Sequence, residues 1–413
     1  MNPIRPLVVI GAGAAGLMAA IIAARKGNKV LLLEKKSRVG VKLLATGDGK
    51  GNLTNANIDV AYYHGHNPEF VQPALERFDF CKTRDFFEEL GIKLYITEKG
   101  RVFPYSREAQ IIQRMLASEI EKQKVEVHLG VEIMEIDRIG SNFEIKMKHA
   151  PSIYAQKVIL SSGGLAAPQL GATGDGYQWS ARLGHHIEPQ FPSLVQLNTH
   201  FKGFTLLNKT KITDAIISLF INQKEMTSKK GDLLFISNGV SGSAVFDLSR
   251  IASEALYRQQ KVDIQINFIA DLTLKDLIIF FQKKKRNYPQ QSLQLLLGGV
   301  LPKKLSHFIL KLMQIDLELP IGALPDRKID ELIQIITHFY IPVTGTPSWK
   351  YAQVTCGGIS VNEVNPENME SKIVPHLYFA GEILDVDGDC GGYNLQWAWS
   401  SGYLAGKSAV ENV

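Results

Sequence analysis

A glycine-rich turn within residues 7–36 constrains this chain more than any other feature. The apolar run from Leu7 to Ile10 predicts a buried strand, and residues 17–26 predict a helix. The two are joined directly by the sequence Gly11-Ala12-Gly13-Ala14-Ala15-Gly16. A turn of this kind presents backbone N–H groups and a helix N-terminus to a pyrophosphate, so the segment predicts a dinucleotide site.

The glycines of this turn have separate expected roles. We expect Gly11 to form the tight turn, Gly13 to let a ligand approach, and Gly16 to let the helix pack on the strand. A second apolar run, residues 30–33, ends on Glu34, where an acid accepts hydrogen bonds from a ribose hydroxyl. The alternative is a glycine-rich turn that binds nothing.

A second glycine cluster, Gly171-Ala-Thr-Gly174-Asp-Gly176, has different spacing and does not join a strand to a helix in the required order. The sequence therefore predicts one nucleotide site, occupied by a permanently bound cofactor, and no second Rossmann domain for a nicotinamide.

Length and composition restrict the class of protein. A chain of 413 residues with 45% hydrophobic and 21% charged residues is typical of a globular protein of two or more domains. The net charge of +5 weakly favours anionic ligands such as FAD or NADPH and does not demand nucleic acid. Three cysteines form no disulfide framework, which fits a reducing cytoplasm. We expect no signal peptide and no membrane span, because no apolar run reaches about 18 residues.

The order of the patterns predicts an interrupted nucleotide domain. We expect residues 1–192 and 346–413 to form a nucleotide-binding domain, with an inserted domain at 193–345. Within the insertion, 193–271 is expected to be β-rich and 272–340 helical. Before the insertion, the patterns predict a long loop at 37–60 and helices at 67–91 and 107–123.

Several motifs carry a resemblance to a known family. Besides the opening turn, they are Arg38-Val-Gly40-Val-Lys42, Thr46-Gly47, Asn52-Leu-Thr-Asn55, Gly100-Arg-Val-Phe-Pro-Tyr-Ser106, Gly171-Ala-Thr-Gly-Asp-Gly-Tyr177, and Gly381-Glu-Ile-Leu-Asp-Val-Asp-Gly-Asp-Cys-Gly-Gly-Tyr-Asn-Leu395. The chain resembles the BaiN/YhiN-type flavoproteins, which are NAD(P)/FAD-dependent oxidoreductases similar to dehydro-bile-acid reductase. The resemblance covers essentially the whole chain.

The resemblance implies the fold class: α/β, with a glutathione-reductase-type FAD-binding Rossmann domain and an inserted domain that is partly β-barrel-like and partly helical. One departure is visible at Gly49-Lys50-Gly51-Asn52, where similar proteins carry Gly-Arg-Cys-Asn. If that Cys or Arg acts chemically in relatives, this chain acts differently.

The resemblance and the turn together give a set of expected FAD contacts. They are Gly11, Ala12, Gly13, Ala14, Ala15, Gly16, Glu34, Lys35, Lys42, Thr46, Gly47, Asn52, Leu53, Ile133, Ser161, Gly163, Gly381, Glu382, Gly392, Asn394 and Leu395.

Individual contacts have expected partners on the cofactor. Lys42, together with Arg38, would offset pyrophosphate charge. Thr46, Asn52 and Leu53 would line the flavin. We expect Ile133 to contact the adenine edge through its backbone, while Lys35 either lies near the adenine or is solvated.

The remaining expected contacts lie near the two ends of the cofactor. Ser161 and Gly163 would pass close to the adenosine or the pyrophosphate, and Glu382 would contact the ribityl chain. The helix that follows Gly391–Leu395 would direct its N-terminus at flavin N1/O2, where it stabilises negative charge. The alternative for that segment is a helix cap without a ligand.

Catalytic candidates come from aromatic and cationic residues in the same motifs. Tyr393, Tyr105 and Arg101, with Tyr177, form the expected substrate-facing set, because reduction of an enone requires a proton donor such as a Tyr hydroxyl. The alternative for each is a structural or flavin-packing role.

Other polar residues favour ordinary roles. Cys356 and Cys390 lack a CxxC arrangement, so packing is favoured over a redox pair. The pairs His64/His66 and His185/His186 lack spaced ligand partners, so no metal site is expected. The basic run Lys283–Arg286 follows an amphipathic helix and is interpreted as lacking interleaved aromatics, which favours a solvated face.

These features together predict an FAD-dependent oxidoreductase that passes hydride from NADH or NADPH to an organic acceptor such as an enone C=C. The partner would be a small-molecule substrate, with no clear nucleic acid. Three alternatives stay open: an amine oxidase or dehydrogenase, an RNA-associated flavoprotein, and a flavin-bound sensor without turnover. Substrate identity, the choice of nicotinamide and the oligomeric state are not determined by the sequence.

Overall fold

The computed structural model of the protein describes residues 3–201 and 203–411. Its strands are β1 (Ile4–Ile10), β2 (Val30–Glu34), β3 (Thr54–Asn55), β4 (Tyr63–His64), β5 (Leu94–Ile96), β6 (Arg101–Pro104), β7 (Glu126–Leu129), β8 (Ile133–Ile139), β9 (Asn142–Met147), β10 (Ile153–Leu160), β11 (Ile187–Ser193), β12 (Leu197–Asn198), β13 (Lys211–Ile221), β14 (Lys224–Ile236), β15 (Gly239–Ser241), β16 (Val262–Asn267), β17 (Phe339–Val343), β18 (Val354–Ile359), β19 (Leu377–Phe379) and β20 (Asp387–Gly388).

The α-helices are α1 (Ala14–Arg25), α2 (Gln72–Arg77), α3 (Phe80–Glu89), α4 (Ala109–Lys122), α5 (Asp175–Arg182), α6 (Phe204–Leu207), α7 (Ser243–Tyr257), α8 (Leu274–Asn287), α9 (Leu293–Gly298), α10 (Lys303–Leu312), α11 (Asp326–Thr337) and α12 (Tyr393–Ser408). Short 3₁₀ turns occur at Lys42–Ala45, Val60–Tyr62, Pro68–Val71, Pro168–Leu170, Ile321–Ala323, Trp349–Tyr351, Val361–Glu363 and Gly381–Ile383. Within the described ranges, no helix has both the length and the apolar character that crossing a membrane requires.

The chain forms two compact units. The first combines Met1–Phe191 with Ala352–Val413, and the second is Pro192–Tyr351. The first unit is therefore built from both ends of the chain.

The main sheet of the first unit has a Rossmann-type core. Its strand order is β7-β2-β1-β10-β9-β8, with β19 also paired to β10. Strand β1 runs parallel to β2 and β10, and its segment Leu7–Ile10 is buried. A continuous apolar run of this kind fits a central parallel strand that is covered on both faces. The carboxyl ends of β1 and β2 therefore meet at one edge of the sheet, beside the glycine-rich turn.

Helices α1 and α12 pack unusually closely. A Cβ added at Gly402 would lie 2.4 Å from the Ala15 carbonyl oxygen, and one at Gly406 would lie 2.4 Å from that of Ala19. The two glycines are four residues apart, as are the two alanines, so the helices present matching small-residue faces. The contact pairs advance together along both sequences, which means that the helices run in the same direction.

The second unit contains a six-stranded antiparallel sheet, in the order β12-β15-β14-β13-β16-β17. Beyond the last strand, Asn198 of β12 exchanges backbone hydrogen bonds with residues 344–345, at 2.9 and 2.8 Å. These bonds bring the two edge strands together and nearly close the sheet into a barrel. Helices α8 to α11 lie between β16 and β17 in the sequence. The expected fold class is confirmed: an α/β Rossmann-type fold with a β-barrel-like and helical insertion.

Some local predictions were wrong. The expected helix at 67–91 is divided into a 3₁₀ turn, α2 and α3. The break occurs at Phe78, which has non-helical backbone angles, and the side chain of Asp79 then caps α3 by accepting from the N–H of Lys82. The expected loop at 37–60 contains a 3₁₀ turn and β3, whose pairing with distant β6 has no local signal.

Two features of the second unit also differ from the sequence interpretation. Helix α7 was not predicted within the β-rich stretch; Ala244, Val245 and Leu248 lie on its buried face, at helical spacing. The basic run at the end of α8 does have aromatic neighbours, because Lys284 lies over the rings of both Phe280 and Tyr288.

Replacing Gly402 with alanine is expected to destabilise the first unit. The added methyl group would strike the backbone of α1, and overpacking of this kind costs about 1–3 kcal/mol. Helix propensity alone would change stability in the opposite direction, by about 1 kcal/mol. Gly298→Ala is the matched control, because Gly298 is also helical and a Cβ there would meet no heavy atom of the described residues within 4 Å, apart from its chain neighbours and its own helix backbone.

The free energy of unfolding, measured in urea, should fall for Gly402→Ala and stay equal or rise for Gly298→Ala. Equal stability of the two variants would contradict the close contact between α1 and α12.

Candidate functional site

The glycine-rich turn has the geometry of a ligand cradle. Gly11 has φ +97°, which favours glycine, and a Cβ at Gly16 would lie 1.8 Å from the Gly11 carbonyl oxygen. Gly13 differs, because no heavy atom of the described residues, apart from its chain neighbours, lies within 4 Å of its Cβ position. Two glycines thus allow close packing inside the protein, while Gly13 leaves open space where a ligand can approach.

The N-terminus of α1 faces this open space. Gly13 is the N-cap of the helix; no side chain of the described residues caps it, and its first turn carries no acidic residue. The first N–H groups of a helix lack helical acceptors, and the helix dipole places partial positive charge there. This end of α1 can therefore bind an anion such as a pyrophosphate.

Glu34 lies at the carboxyl end of β2, directly beside the turn. Its two carboxylate oxygens accept from the N–H of Ala12 at 2.7 Å and of Lys36 at 2.8 Å. The N–H of Val131 donates to the Glu34 carbonyl at 3.0 Å, which brings the start of β8, with Ile133, alongside this strand end. The two backbone contacts fix the orientation of the carboxylate beside the turn.

The side chain of Lys35 contacts the segment at residues 173–175. Its ammonium forms an ion pair with Asp175 at 3.0 Å and donates to the hydroxyl of Thr173.

Ser161 contacts the glycine-rich turn. Its hydroxyl donates to the carbonyls of Ile10 at 2.9 Å and Gly11 at 3.0 Å. Gly163 follows with φ +73°, a conformation that favours glycine.

The loop after β2 is attached to the glycine turn and to the C-terminal segment. The N–H of Gly40 donates to the carbonyl of Ala12 at 2.8 Å. Lys42 forms an ion pair with Glu382 at 2.6 Å, and the second oxygen of that carboxylate accepts from the N–H of Thr355 at 2.9 Å. The structure therefore brings Lys42 and Glu382 together, although they are far apart in sequence.

Residues 46–53 wrap into a compact loop. The hydroxyl of Thr46 donates to the carbonyl of Leu43 at 2.7 Å, and Gly47 has φ +57°. The side-chain oxygen of Asn52 is buried and has no hydrogen-bond partner among the described residues. A buried acceptor without a donor is costly, so this oxygen fits a site where a ligand supplies an N–H or O–H group.

The start of α12 forms the second half of the site. Gly392 is its N-cap with φ +107°, and a Cβ there would lie 2.3 Å from the Thr54 carbonyl oxygen. Asn394 holds the preceding turn, donating to the Gly388 carbonyl at 2.6 Å and accepting from its N–H at 2.9 Å. Leu395 follows in the first turn, which no side chain of the described residues caps.

Because Ala15 and Gly402 are in register, α12 begins about 12 Å before α1 along their common direction, at 1.5 Å per residue. The two helices thus present two separate N-termini that are offset along their common direction.

Sequence reasoning missed a buried polar network on α12. Gln396 is fully buried; its amide nitrogen donates to the Phe78 carbonyl and to the Thr83 hydroxyl, each at 2.9 Å. Its oxygen accepts from the Thr54 hydroxyl at 2.5 Å. The indole N–H of Trp399 donates to the carbonyl of Leu53 at 2.9 Å. The single glutamine within the otherwise apolar stretch at residues 395–399 was the signal available in the sequence.

The structure brings two of the three catalytic candidates to the same turn. The guanidinium of Arg101 lies 3.8 Å from the sulfur of Cys390, and a Cβ at Gly391 would lie 3.6 Å from Arg101 and 3.4 Å from the ring of Tyr393. Tyr393 is buried, and its ring stacks on that of Tyr62 at 4.5 Å.

Tyr105 lies elsewhere on the surface. Its side chain is 70% exposed, and its ring packs against that of Tyr95 at 5.6 Å.

Tyr177 belongs to a separate buried cluster that sequence reasoning did not assemble. Its hydroxyl is buried without a hydrogen-bond partner among the described residues, as is one oxygen of Asp385. The other oxygen of Asp385 contacts a ring nitrogen of His66 at 2.8 Å. Burial raises the pKa of Tyr177 well above its usual value, and the carboxylates of Glu382 and Asp385 raise it further. The phenol therefore keeps its proton at neutral pH.

The three cysteines are not joined by disulfide bonds: Cys81 is exposed, Cys356 is buried and Cys390 is half-buried. In the part of the chain that the structure describes, no group of three His, Cys, Asp or Glu side chains is arranged to hold a metal ion. The rings of His185 and Phe379 pack edge to face at 4.9 Å, and His185 contacts Glu363, which explains its burial without a ligand.

Comparisons with known proteins place this geometry in a family. The model of the HI0933-like protein Rossmann domain matches residues 5–408, and the chain belongs to this family. It is 35% identical to a 3-dehydro-bile acid Δ(4,6)-reductase of Clostridium scindens, over 98% of each chain. It is 32% identical to the ribosomal RNA dihydrouridine synthase of Escherichia coli, over 98% of this chain and 97% of the relative.

The ribosomal RNA dihydrouridine synthase of Haemophilus influenzae is also 32% identical, over 97% of each chain. The expected family and the oxidoreductase class are confirmed.

The turn provides a matched pair of glycine substitutions. Gly13→Ala adds a methyl group in open space and should change the free energy of unfolding of the ligand-free chain by less than about 1 kcal/mol. The same methyl group should hinder a pyrophosphate and weaken FAD binding about tenfold or more, which corresponds to 1.4 kcal/mol.

Gly16→Ala is the contrasting control, because its methyl group would strike the Gly11 carbonyl; it should lower the free energy of unfolding by about 2 kcal/mol. FAD titration by fluorescence and urea unfolding measure the two effects. Unchanged FAD affinity in Gly13→Ala would show that the ligand binds elsewhere.

Proposed function

We propose that this chain binds FAD and reduces a C=C bond that is conjugated to a carbonyl group. The observation that carries the proposal is the chemistry shared by its relatives. One is named as a reductase of a 3-dehydro acid at Δ4,6, which describes double bonds conjugated to a 3-keto group. Others are named as dihydrouridine synthases, whose product is a uracil ring saturated at the bond conjugated to its carbonyl.

The residues of the first unit fit FAD. The open space at Gly13 and the uncapped end of α1 suit the pyrophosphate, while Glu34 suits the adenosine ribose. The unpartnered oxygen of Asn52 and the N-terminus of α12 suit the polar edge of a flavin ring. When bound, FAD supplies hydride transfer between a reductant and an organic acceptor.

The protein must also stabilise the developing charge on the substrate. Reduction of an enone adds hydride at the β-carbon and a proton at the α-carbon, and negative charge builds on the carbonyl oxygen. Arg101 is half-buried and forms no ion pair with a carboxylate of the described residues, so its guanidinium is available to hold that oxygen. Tyr393 and Tyr105 are the candidate proton donors; Tyr393 shares the Gly391 turn with Arg101, whereas Tyr105 is exposed and packs against Tyr95.

We further propose NADH or NADPH as the reductant. The sequence contains one Rossmann glycine fingerprint, so a nicotinamide would bind transiently, next to the flavin, and leave before the acceptor enters. The choice between the two nicotinamides is left to the experiment.

A second candidate function is reduction of uracil within RNA. Two relatives at 32% identity over almost the whole chain bear ribosomal RNA in their names, which favours this candidate specifically. Uracil contains the same conjugated C=C–C=O unit as an enone, so the first unit would perform the same chemistry on either substrate.

An anaerobic absorbance titration tests the proposed function. NADH and then NADPH are added to the purified flavoprotein, followed by 2-cyclohexenone or by oligouridylate. We expect one nicotinamide to bleach the flavin band and a conjugated acceptor to restore it. Bleaching by small amines but by neither nicotinamide would overturn the proposal and favour an amine oxidase.

Arg101→Met should lower kcat/KM for the conjugated acceptor about 100-fold, because removal of one oxyanion-stabilising donor typically has that effect. Flavin content should be unchanged. Arg114→Met, which removes an exposed arginine from α4, is the matched control and should retain full activity. Arg101→Lys should recover part of the loss. Equal activity of the Arg101→Met and Arg114→Met variants would exclude Arg101 from the reaction.

A further inference from the structure

We propose that the C-terminal half of α8, together with its C-cap residue Tyr288, is a binding surface for single-stranded RNA. This surface, the α8 ridge, consists of Phe280, Lys283, Lys284, Arg286 and Tyr288. The inference rests on the uracil candidate described above and adds the location at which the second unit would hold the RNA strand.

Charge is distributed very unequally between the two units. Residues 192–351 contain 20 Lys and Arg against 13 Asp and Glu, a net charge of +7. The whole chain carries +5, so the remaining residues carry −2. The excess positive charge therefore belongs to the unit that lacks the nucleotide fingerprint. A polyanion such as RNA would be attracted to this unit in particular.

Three of the four consecutive cations on α8 are available to a ligand. Lys285 forms an ion pair with Asp326 at 2.6 Å and donates to the carbonyl of Leu324. Across the described residues, no carboxylate forms an ion pair with Lys283, Lys284 or Arg286. The helix dipole favours cations at this end, but an unpaired, exposed cation also binds a phosphate group readily.

Two aromatic side chains flank Lys284, one before it and one after it, at the four-residue spacing that brings side chains together on a helix. Lys284 lies 4.7 Å from the ring centre of Tyr288 and 5.9 Å from that of Phe280, which are four residues away on either side. The side chain of Tyr288 is 57% exposed. An exposed ring next to cations is the arrangement that binds single strands, because bases stack on the ring while phosphates contact the cations.

Other partners are less well matched to this surface. The first half of α8 exposes Leu274, Ile278 and Ile279, which would also suit an anionic membrane surface. The α8 ridge differs, because its exposed aromatic is a tyrosine that follows the unpaired cations at the helix end. Stacking on that ring, rather than insertion into lipid, is the mode that this arrangement favours.

Fluorescence anisotropy of labelled oligouridylate tests the proposal. The full flavin-loaded chain, oxidised and without nicotinamide, is titrated against a strand of about 12 nucleotides, within the range of known single-strand sites. Affinity is measured between about 50 and 200 mM salt, because phosphate contacts make binding salt-dependent. Vesicles of phosphatidylglycerol are tested in parallel.

Three variants separate local contacts from general charge. The double variant Lys283→Gln/Arg286→Gln should bind RNA about tenfold more weakly and lower the salt slope by about 1.4, since each single-strand phosphate contact contributes about 0.7. Tyr288→Ala should weaken binding about tenfold with little change of slope. Lys209→Gln/Lys224→Gln removes two exposed cations elsewhere in the same unit and should change the affinity less than about threefold.

The outcomes distinguish this inference from the proposed reaction. Equal losses of RNA affinity in the two double variants would overturn the assignment of the α8 ridge. RNA would then be attracted only by the net positive charge of the second unit. Vesicle binding that depends on the ridge while RNA binding does not would overturn it in favour of a membrane. Absence of RNA binding by the wild type would overturn both the ridge and the uracil candidate, while reduction of 2-cyclohexenone would still stand. Retained flavin and unchanged unfolding would show that the exposed substitutions leave the fold intact.

Discussion

The contact between helices α1 and α12 is the constraint on which the rest of the first unit depends. Because Gly402 and Gly406 lack side chains, α12 lies directly on the backbone of Ala15 and Ala19. This contact joins the two ends of the chain and fixes the offset between two helix N-termini that run in the same direction. One N-terminus faces the glycine-rich turn and the other faces the turn at Gly391. An extended dinucleotide needs anchoring groups separated in this way, and neither helix could provide them alone.

Buried hydrogen bonds then hold the loops against this pair of helices. Gln396 donates to the carbonyl of Phe78 and accepts from the hydroxyl of Thr54, and Trp399 donates to the carbonyl of Leu53; all three partners are far away in sequence. A fully satisfied buried network specifies one arrangement, because any slip would leave its polar groups unpaired. The ion pair between Lys42 and Glu382 connects the same two regions. The irregular loops are thereby placed by a rigid scaffold, as binding residues on loops commonly are.

The sequence was sufficient where the signal was local. The strand, turn and helix around Gly13 and the position of Glu34 follow from spacing within some thirty residues. Contacts across the chain had no such signal: the pairing of β3 with β6, the network around Gln396 and the contact of His66 with Asp385 all join distant segments. Helix α7 was missed because its neighbours read as strands, and the spacing of Phe280, Lys284 and Tyr288 was visible but not recognised.

The flavin content of the purified chain is the decisive test of FAD binding at the glycine-rich turn. We expect the absorption bands of a flavin, about one FAD released per chain on denaturation, and recovery of those bands when FAD is returned to the stripped protein. If the purified chain carries no flavin and the stripped protein does not bind added FAD, the open space at Gly13 has another purpose, and the proposed chemistry is wrong.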